Sequence, residues 1–368
     1  MPAALLRRLT LAATLCASAL AQAETWPAAE WATHLAPASP AIAALEAYAF
    51  VPRDDDSRDG VRTDALLVIR DGEVIYERYA GPTTASTAHL AWSMSKSLLA
   101  ATLGVAYGEG RFKLSDSAAN YYPGLAAHPQ IKIGHLLNWA SGLDSQESYE
   151  VAPLKSSVVA MLYTRGRLDM PAFAADFALA STPGSTFRYS SGDSNLLSAA
   201  LRGMLGDAAY ANYPWTALFA PLGITSAVWE TDFSGNFVSS SYAYMTARDL
   251  ARVGLLMQRD GRWGDRQLLP KAWVEFNRTP FAGYQPIAGE AVPGGQWWLN
   301  QALAGAAKPW PDAPASTFAA LGHWSQALYV LPEQKLVIVR YADDRDHGYA
   351  HNTLLKLAIA AFAPEVVQ

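Results

Sequence analysis

The chain has 368 residues, 51% of them hydrophobic, with a formal net charge of −5 and one cysteine, Cys16. That length and apolar content are enough for a large buried core and exclude a disordered, low-complexity chain. The acidic balance gives no electrostatic footprint for nucleic acid, and one cysteine excludes both a disulfide framework and a cysteine metal site.

In chain order, the first segment reads as a secretory signal. Arg7 and Arg8 precede an apolar run over residues 9–20, and Ala21-Gln22-Ala23 puts small residues where a signal peptidase cuts. Cleavage is expected after Ala23, with a mature start at Glu24 and a secreted or periplasmic location. The run is shorter than the roughly 20 residues that cross a bilayer, and no later stretch is apolar enough, so no stable membrane span is expected. Cys16 falls inside this segment, and Leu15 before it is not the small residue of a lipoprotein signal.

Residues 65–80 alternate around Asp71-Gly72, which predicts a hairpin of two antiparallel strands. Residues 93–107 carry a helical pattern, with Ser93 at its start. From about 114 to about 237, helix-like pieces such as 133–139 and 195–204 are separated by Ser141-Gly142, Pro183-Gly184 and Ser191-Gly192, predicting a mostly helical insertion. Residues 246–259 put Leu250, Val253, Leu256 and Met257 on one stripe, as an amphipathic helix does. Strand-like runs follow at 296–301, 320–330 and 335–341, the last two joined by a turn at 331–334. An apolar helix over 349–362 closes the chain. There is no internal repeat.

This order predicts an α/β fold of the α+β kind: an antiparallel sheet built from both chain ends, flanked by helices. The sheet part takes residues of about 24–113 and 238–368, and the helical subdomain those of about 114–237.

The chemistry is concentrated at Ser93 and Lys96. Of the eight lysines only Lys96 has a serine three residues before it, and on a helix that spacing lays the lysine over the hydroxyl. A nucleophilic serine also needs a proton acceptor and donors for the oxyanion it creates. No serine sits in a Gly-x-Ser-x-Gly elbow, and none of the histidines stands in a recognisable triad context, which leaves Lys96 and a tyrosine. Two tyrosines compete. Tyr189 follows the Pro183-Gly184 turn and precedes an apolar helix, as a loop residue pointing into a cleft does. Tyr210 has the literal Tyr-x-Asn spelling but the surroundings of a packing residue.

Ser93-x-x-Lys96, Tyr189-Ser190-Ser191 and Gly322-His323-Trp324-Ser325-Gln326 resemble the three motifs of the serine β-lactamase and penicillin-binding-protein superfamily. Within it the chain is similar to class C-like esterases and 6-aminohexanoate-dimer (nylon-oligomer) hydrolases. Supporting pieces run in family order: Leu136-Leu137 before Ser141-Gly142-Leu143, Pro221-Leu222-Gly223, Thr246 to Ala251 with Gly254, Gln296-Trp297-Trp298, and Leu336 to Arg340. The resemblance covers nearly all of the chain after residue 23 and implies a β-lactamase/transpeptidase-like fold. It implies a serine hydrolase in which Ser93 attacks a small ester or amide and forms an acyl-enzyme. Lys96 and Tyr189 would move the proton, and backbone N–H groups of Ser93 and Gln326 would form the oxyanion hole. Ser191, His323, Trp324 and Ser325 would contact substrate. No metal or organic cofactor is implied.

The departures narrow the substrate. Lactamases place a Lys-Thr-Gly or a close variant at the third motif, where the cation holds a substrate carboxylate; here His323-Trp324-Ser325 stands, which disfavours β-lactam and peptidoglycan substrates. Ser191 replaces the amide of Tyr-x-Asn. Ser325 takes a position where related hydrolases have glycine. A β-lactamase, a D-Ala-D-Ala carboxypeptidase and a catalytically silent member of the fold are the alternatives.

Overall fold

The Asp71-Gly72 pair makes the predicted turn because both residues adopt positive φ, 51° and 88°, which matches the twist of the strands on either side. It joins β1 (Thr63–Arg70) to β2 (Glu73–Tyr79). These coordinates are a computed structural model that describes residues 24–364 except 53, 55, 57–59 and 346–347. Residues 1–23, where a secretory signal is expected, lie outside the described residues.

The other strands of the main sheet come from the C-terminal third: β3 (Val292–Pro293), β4 (Trp298–Leu299), β5 (Phe318–Gly322), β6 (Gln326–Leu331) and β7 (Leu336–Ala342). They pair antiparallel in the order β2-β1-β7-β6-β5-β4-β3, so the N-terminal hairpin docks on the last strand of the chain. The continuous strand expected over 320–330 is instead two strands. Three residues, His323 to Ser325, reverse the chain, with Trp324 at φ 54° and Ser325 at φ 66°. A tryptophan and a serine seldom enter the left-handed region, so no Gly, Asn or Asp marked the turn.

Both faces of the sheet are covered, and the strands read accordingly. In β1, Leu67 and Ile69 pack with Leu98 and Leu103 of the helix Met94–Gly108 and with Leu250, Val253 and Leu256 of the helix Ala247–Gln258. Leu66 and Val68 point the other way, into the layer of Leu45 from Pro40–Ala49 and Leu354, Leu355 and Phe362 from His351–Phe362. In β7 every residue is buried, as in a strand covered on both sides.

No main-sheet strand lies between residues 80 and 291, all of which are described. Within that stretch, short helices at Ile133–Leu137, Ser157–Tyr163 and Met170–Ala175 surround the longer helix Ser191–Leu205. Leu136, Met161, Leu196 and Leu197 continue the inner core of the sheet. The helical part therefore forms one wall above the N-terminus of Met94–Gly108, whose approach is set by Trp92 at φ 48°. Among the described residues no helix is long and apolar enough to cross a membrane.

Candidate active site

Ser93 is the residue just before the helix Met94–Gly108, and its side chain makes no capping bond, which leaves the hydroxyl available. One turn on, Lys96 is buried. Its Nζ donates to Ser93 Oγ at 3.0 Å, to Ser191 Oγ at 3.1 Å and to the Ser240 carbonyl at 2.7 Å. Those three bonds use the three protons of an ammonium. Asn195 fixes the third partner, since its Oδ1 accepts from the Ser240 amide at 3.1 Å.

Tyr189 reaches the site from the loop before Ser191–Leu205. Its ring packs on Trp139 and Trp298, with centroids at 5.0 and 5.6 Å, and Lys96 Nζ lies 4.9 Å from its centre. Burial and the nearby Glu147 charge push its phenol well above the ordinary range, opposed only by a hydrogen bond with the Ser93 side chain. Tyr189 therefore rests as a neutral phenol. Lys96 moves the other way: burial lowers its ammonium to about 8, against the Glu147 charge, which raises it. Of the two candidate bases the geometry and charge favour the lysine amine, and they leave the tyrosine with a proton to give. Tyr210 is bonded to Ser198 Oγ at 2.7 Å and to the Phe237 amide at 2.8 Å, as a packing residue is.

Ser191, expected against substrate, is placed differently. It is buried in the first turn of its helix, accepts from Lys96, and donates its own hydroxyl to Glu147 Oε2 at 3.2 Å and its amide to Oε1 at 2.6 Å. Glu147 was not singled out by the sequence, because nothing local marks one glutamate in a loop; only the fold carries it to Ser191.

The third motif forms the facing rim. A Cβ on Gly322 would come within 2.6 Å of the Ala91 carbonyl, so β5 and β6 abut the segment that delivers Ser93. Gln326 begins β6 on this rim. Its side chain, which the oxyanion-hole reading left without a role, accepts from the Ala342 amide at 2.9 Å and donates to the His323 carbonyl at 3.1 Å. It pins the turn to β7. His323 sits among Trp92, Tyr149 and Trp324 at centroid distances of 5.4, 4.7 and 4.5 Å, and its Nε2 is 2.9 Å from Glu150 Oε1. Trp324 also meets the edge of Trp92 at 5.3 Å. The rim is thus aromatic, with the Glu150 carboxylate on His323 and the Arg345 guanidinium 3.1 Å from the centre of the Trp324 ring.

Asp344, just beyond β7, is buried. It takes both Arg340 Nη atoms, at 2.6 and 3.0 Å, and Arg340 Nη1 also donates to the Ser325 carbonyl at 3.0 Å. Behind Tyr189, Asp193 is fully buried and accepts from Ser141 Oγ at 2.7 Å; burial raises its carboxyl to about 7.

The beta-lactamase family profile matches residues 42–361. A 6-aminohexanoate-dimer hydrolase of Paenarthrobacter ureafaciens is 27% identical over 350 residues, covering 88% of this chain and 86% of the relative. Among solved structures, EstCE1, described as a hydrolase with promiscuous acyltransferase activity, superposes with a TM-score of 0.68 at 16% identity, over 88% of this chain and 98% of its own. A D-stereospecific amidohydrolase from Streptomyces sp. superposes with a TM-score of 0.65 at 16% identity, over 88% and 99%.

Proposed function

The chain belongs to the beta-lactamase family of hydrolases, and on that premise we propose that it is an exported serine hydrolase that cleaves small ester or amide bonds through an acyl-enzyme on Ser93. One observation carries the reading: a buried lysine of lowered proton affinity lies 3.0 Å from a serine hydroxyl that no cap occupies. Export rests on the signal-like residues 1–23.

In this reading Lys96, as the free amine, takes the Ser93 proton while Oγ bonds to the substrate carbonyl carbon. The negative charge that forms on the carbonyl oxygen is met by the backbone N–H groups of Ser93 and Gln326. Collapse breaks the bond to the leaving group, to which Tyr189 gives its phenol proton; Lys96 restores that proton to Tyr189. Water then attacks the acyl carbon, and the same groups return Ser93 to its resting form. The likeness to a 6-aminohexanoate-dimer hydrolase supports amide bonds as substrates, and the acyltransferase activity in the description of EstCE1 fits an acyl-transfer step.

Ser191 in this reading steadies the base instead of binding substrate. His323, Trp324 and Ser325 shape the acyl pocket, and their aromatic wall suits a flat or apolar acyl group. His323-Trp324-Ser325 supplies no lysine for a substrate carboxylate where lactamases have Lys-Thr-Gly, which sets a β-lactam or D-Ala-D-Ala substrate below other esters and amides. The test is a panel of short acyl esters, aminohexanoate dimers and a chromogenic cephalosporin, run on the wild type and Ser93→Ala. Ser93-dependent turnover of an ester or amide is expected. Equal rates for the two proteins on every substrate overturn the reading.

A further inference from the structure

Four polar groups form one unbroken chain in the wall of the cleft: Ser93 Oγ, Lys96 Nζ, Ser191 Oγ and Glu147 Oε2, with successive separations of 3.0, 3.1 and 3.2 Å. The donor directions are fixed from one end. Lys96 donates to both serines, so the Ser191 hydroxyl must turn its own proton to Glu147, while the Ser191 amide holds the other carboxylate oxygen at 2.6 Å. A carboxylate tied twice to one residue, one hydroxyl away from the base, does more than fill space. We propose that Glu147 is a positioning residue for the reaction at Ser93: through Ser191 it sets the charge of Lys96, and with it the pH range over which Lys96 can receive the Ser93 proton. This deepens the serine-hydrolase reading and rests on it.

The groups that face the pair come from every wall. Tyr189 faces Lys96 from the loop before Ser191–Leu205, and Glu147 acts on the phenols of Tyr189 and Tyr149 and on Asp193. Tyr163 and Tyr242 stand beyond Tyr149, and the His323–Glu150 pair closes the far side. Within this set Lys96 is the group that gains from the Glu147 charge: burial disfavours the ammonium and Glu147 opposes that loss. The four phenols, Asp193 and Glu150 cannot replace it, because they are neutral or anionic. The cost to the base is deliberate in its effect. A lysine left alone in this wall would become a free amine at lower pH and would there give up one of the three donor bonds that order Ser93, Ser191 and Ser240 around it.

The sign of the test follows. Removing the charge while keeping the shape, in Glu147→Gln, lowers the proton affinity of Lys96, so the free amine persists to lower pH. The measurement is the second-order rate at which a fluorophosphonate labels Ser93, read by intact-protein mass spectrometry from about pH 5 to about pH 10 on the whole protein. Relative to wild type, the rising limb in Glu147→Gln is expected to move down by about one pH unit or more, as for loss of a nearby opposite charge. Glu147→Asp, which keeps the charge, should hold the limb near its wild-type place. Ser191→Ala removes the hydroxyl that accepts from Lys96 and should move the limb the same way by less; it serves alone should Glu147→Gln fail to fold. Ser93-dependent labelling with an unmoved limb overturns this inference and leaves the serine-hydrolase reading standing, even where the plateau rate falls. Wild-type labelling no faster than Ser93→Ala overturns both.

Discussion

Arg340 holds Ser325 from beneath. While bonded to both oxygens of buried Asp344, its Nη1 donates to the Ser325 carbonyl at 3.0 Å and so fixes a serine at φ 66°. The position where related hydrolases have glycine is thus one that the backbone itself asks of glycine. The fold keeps the serine there by a buried ion pair.

Ser325→Gly should therefore stabilise the protein. The left-handed conformation costs a side-chain residue roughly 1–2 kcal/mol, and the extra freedom of glycine in the unfolded chain returns roughly 0.5–1 of it. A gain of up to about 1.5 kcal/mol is expected as a higher urea midpoint at unchanged slope. A lower midpoint would show that the serine is not strained.

Tyr189→Phe should separate chemistry from packing. The phenyl ring keeps its place on Trp139 and Trp298, so the unfolding midpoint should barely move. Loss of the proton donor should lower kcat by about 10²–10⁴. It should do so more for amides than for activated esters, because a poor leaving group needs the proton. Equal losses on both substrate types would remove Tyr189 from that role.

Lys96 ties activity and stability to the same proton. Its folded value of about 8 lies below the 10.5 of an exposed lysine, so between those values the unfolded chain binds more protons than the native one. Stability should rise with pH across that window, with the full penalty present below about 8. The rising limb of kcat/KM should also fall near 8, since the free amine is the base. Lys96→Met should abolish turnover and flatten the stability slope in that window. A slope that survives the substitution belongs to another group.

Asp193 should act in the opposite sense. Burial raises its carboxyl from 3.8 to about 7, so in that window the native state holds a proton that the unfolded chain releases. Its contribution to stability is present at low pH and is lost as pH rises toward 7. Asp193→Asn keeps an acceptor for the Ser141 hydroxyl and should remove this falling slope. Denaturant midpoints at a series of pH values for the two proteins decide it.

The sequence by itself determined what lies within a few residues of its cause. Asp71-Gly72 specified a hairpin, the stripe of Leu250, Val253 and Leu256 specified a helix, and the three-residue step from Ser93 to Lys96 brought base and nucleophile together through helix geometry alone. The ordered motifs carried the family. The turn at Trp324 and Ser325 was illegible because neither residue prefers positive φ; a buried Arg340, whose position depends on Asp344 and β7, makes that turn tenable. The partners of Lys96 were equally hidden. Ser191 is 95 residues away and Ser240 is 144 away, and Glu147 meets Ser191 across 44. Only tertiary packing brings those groups together and removes the water around them, and that removal is what lowers the proton affinity of Lys96 and raises that of Tyr189.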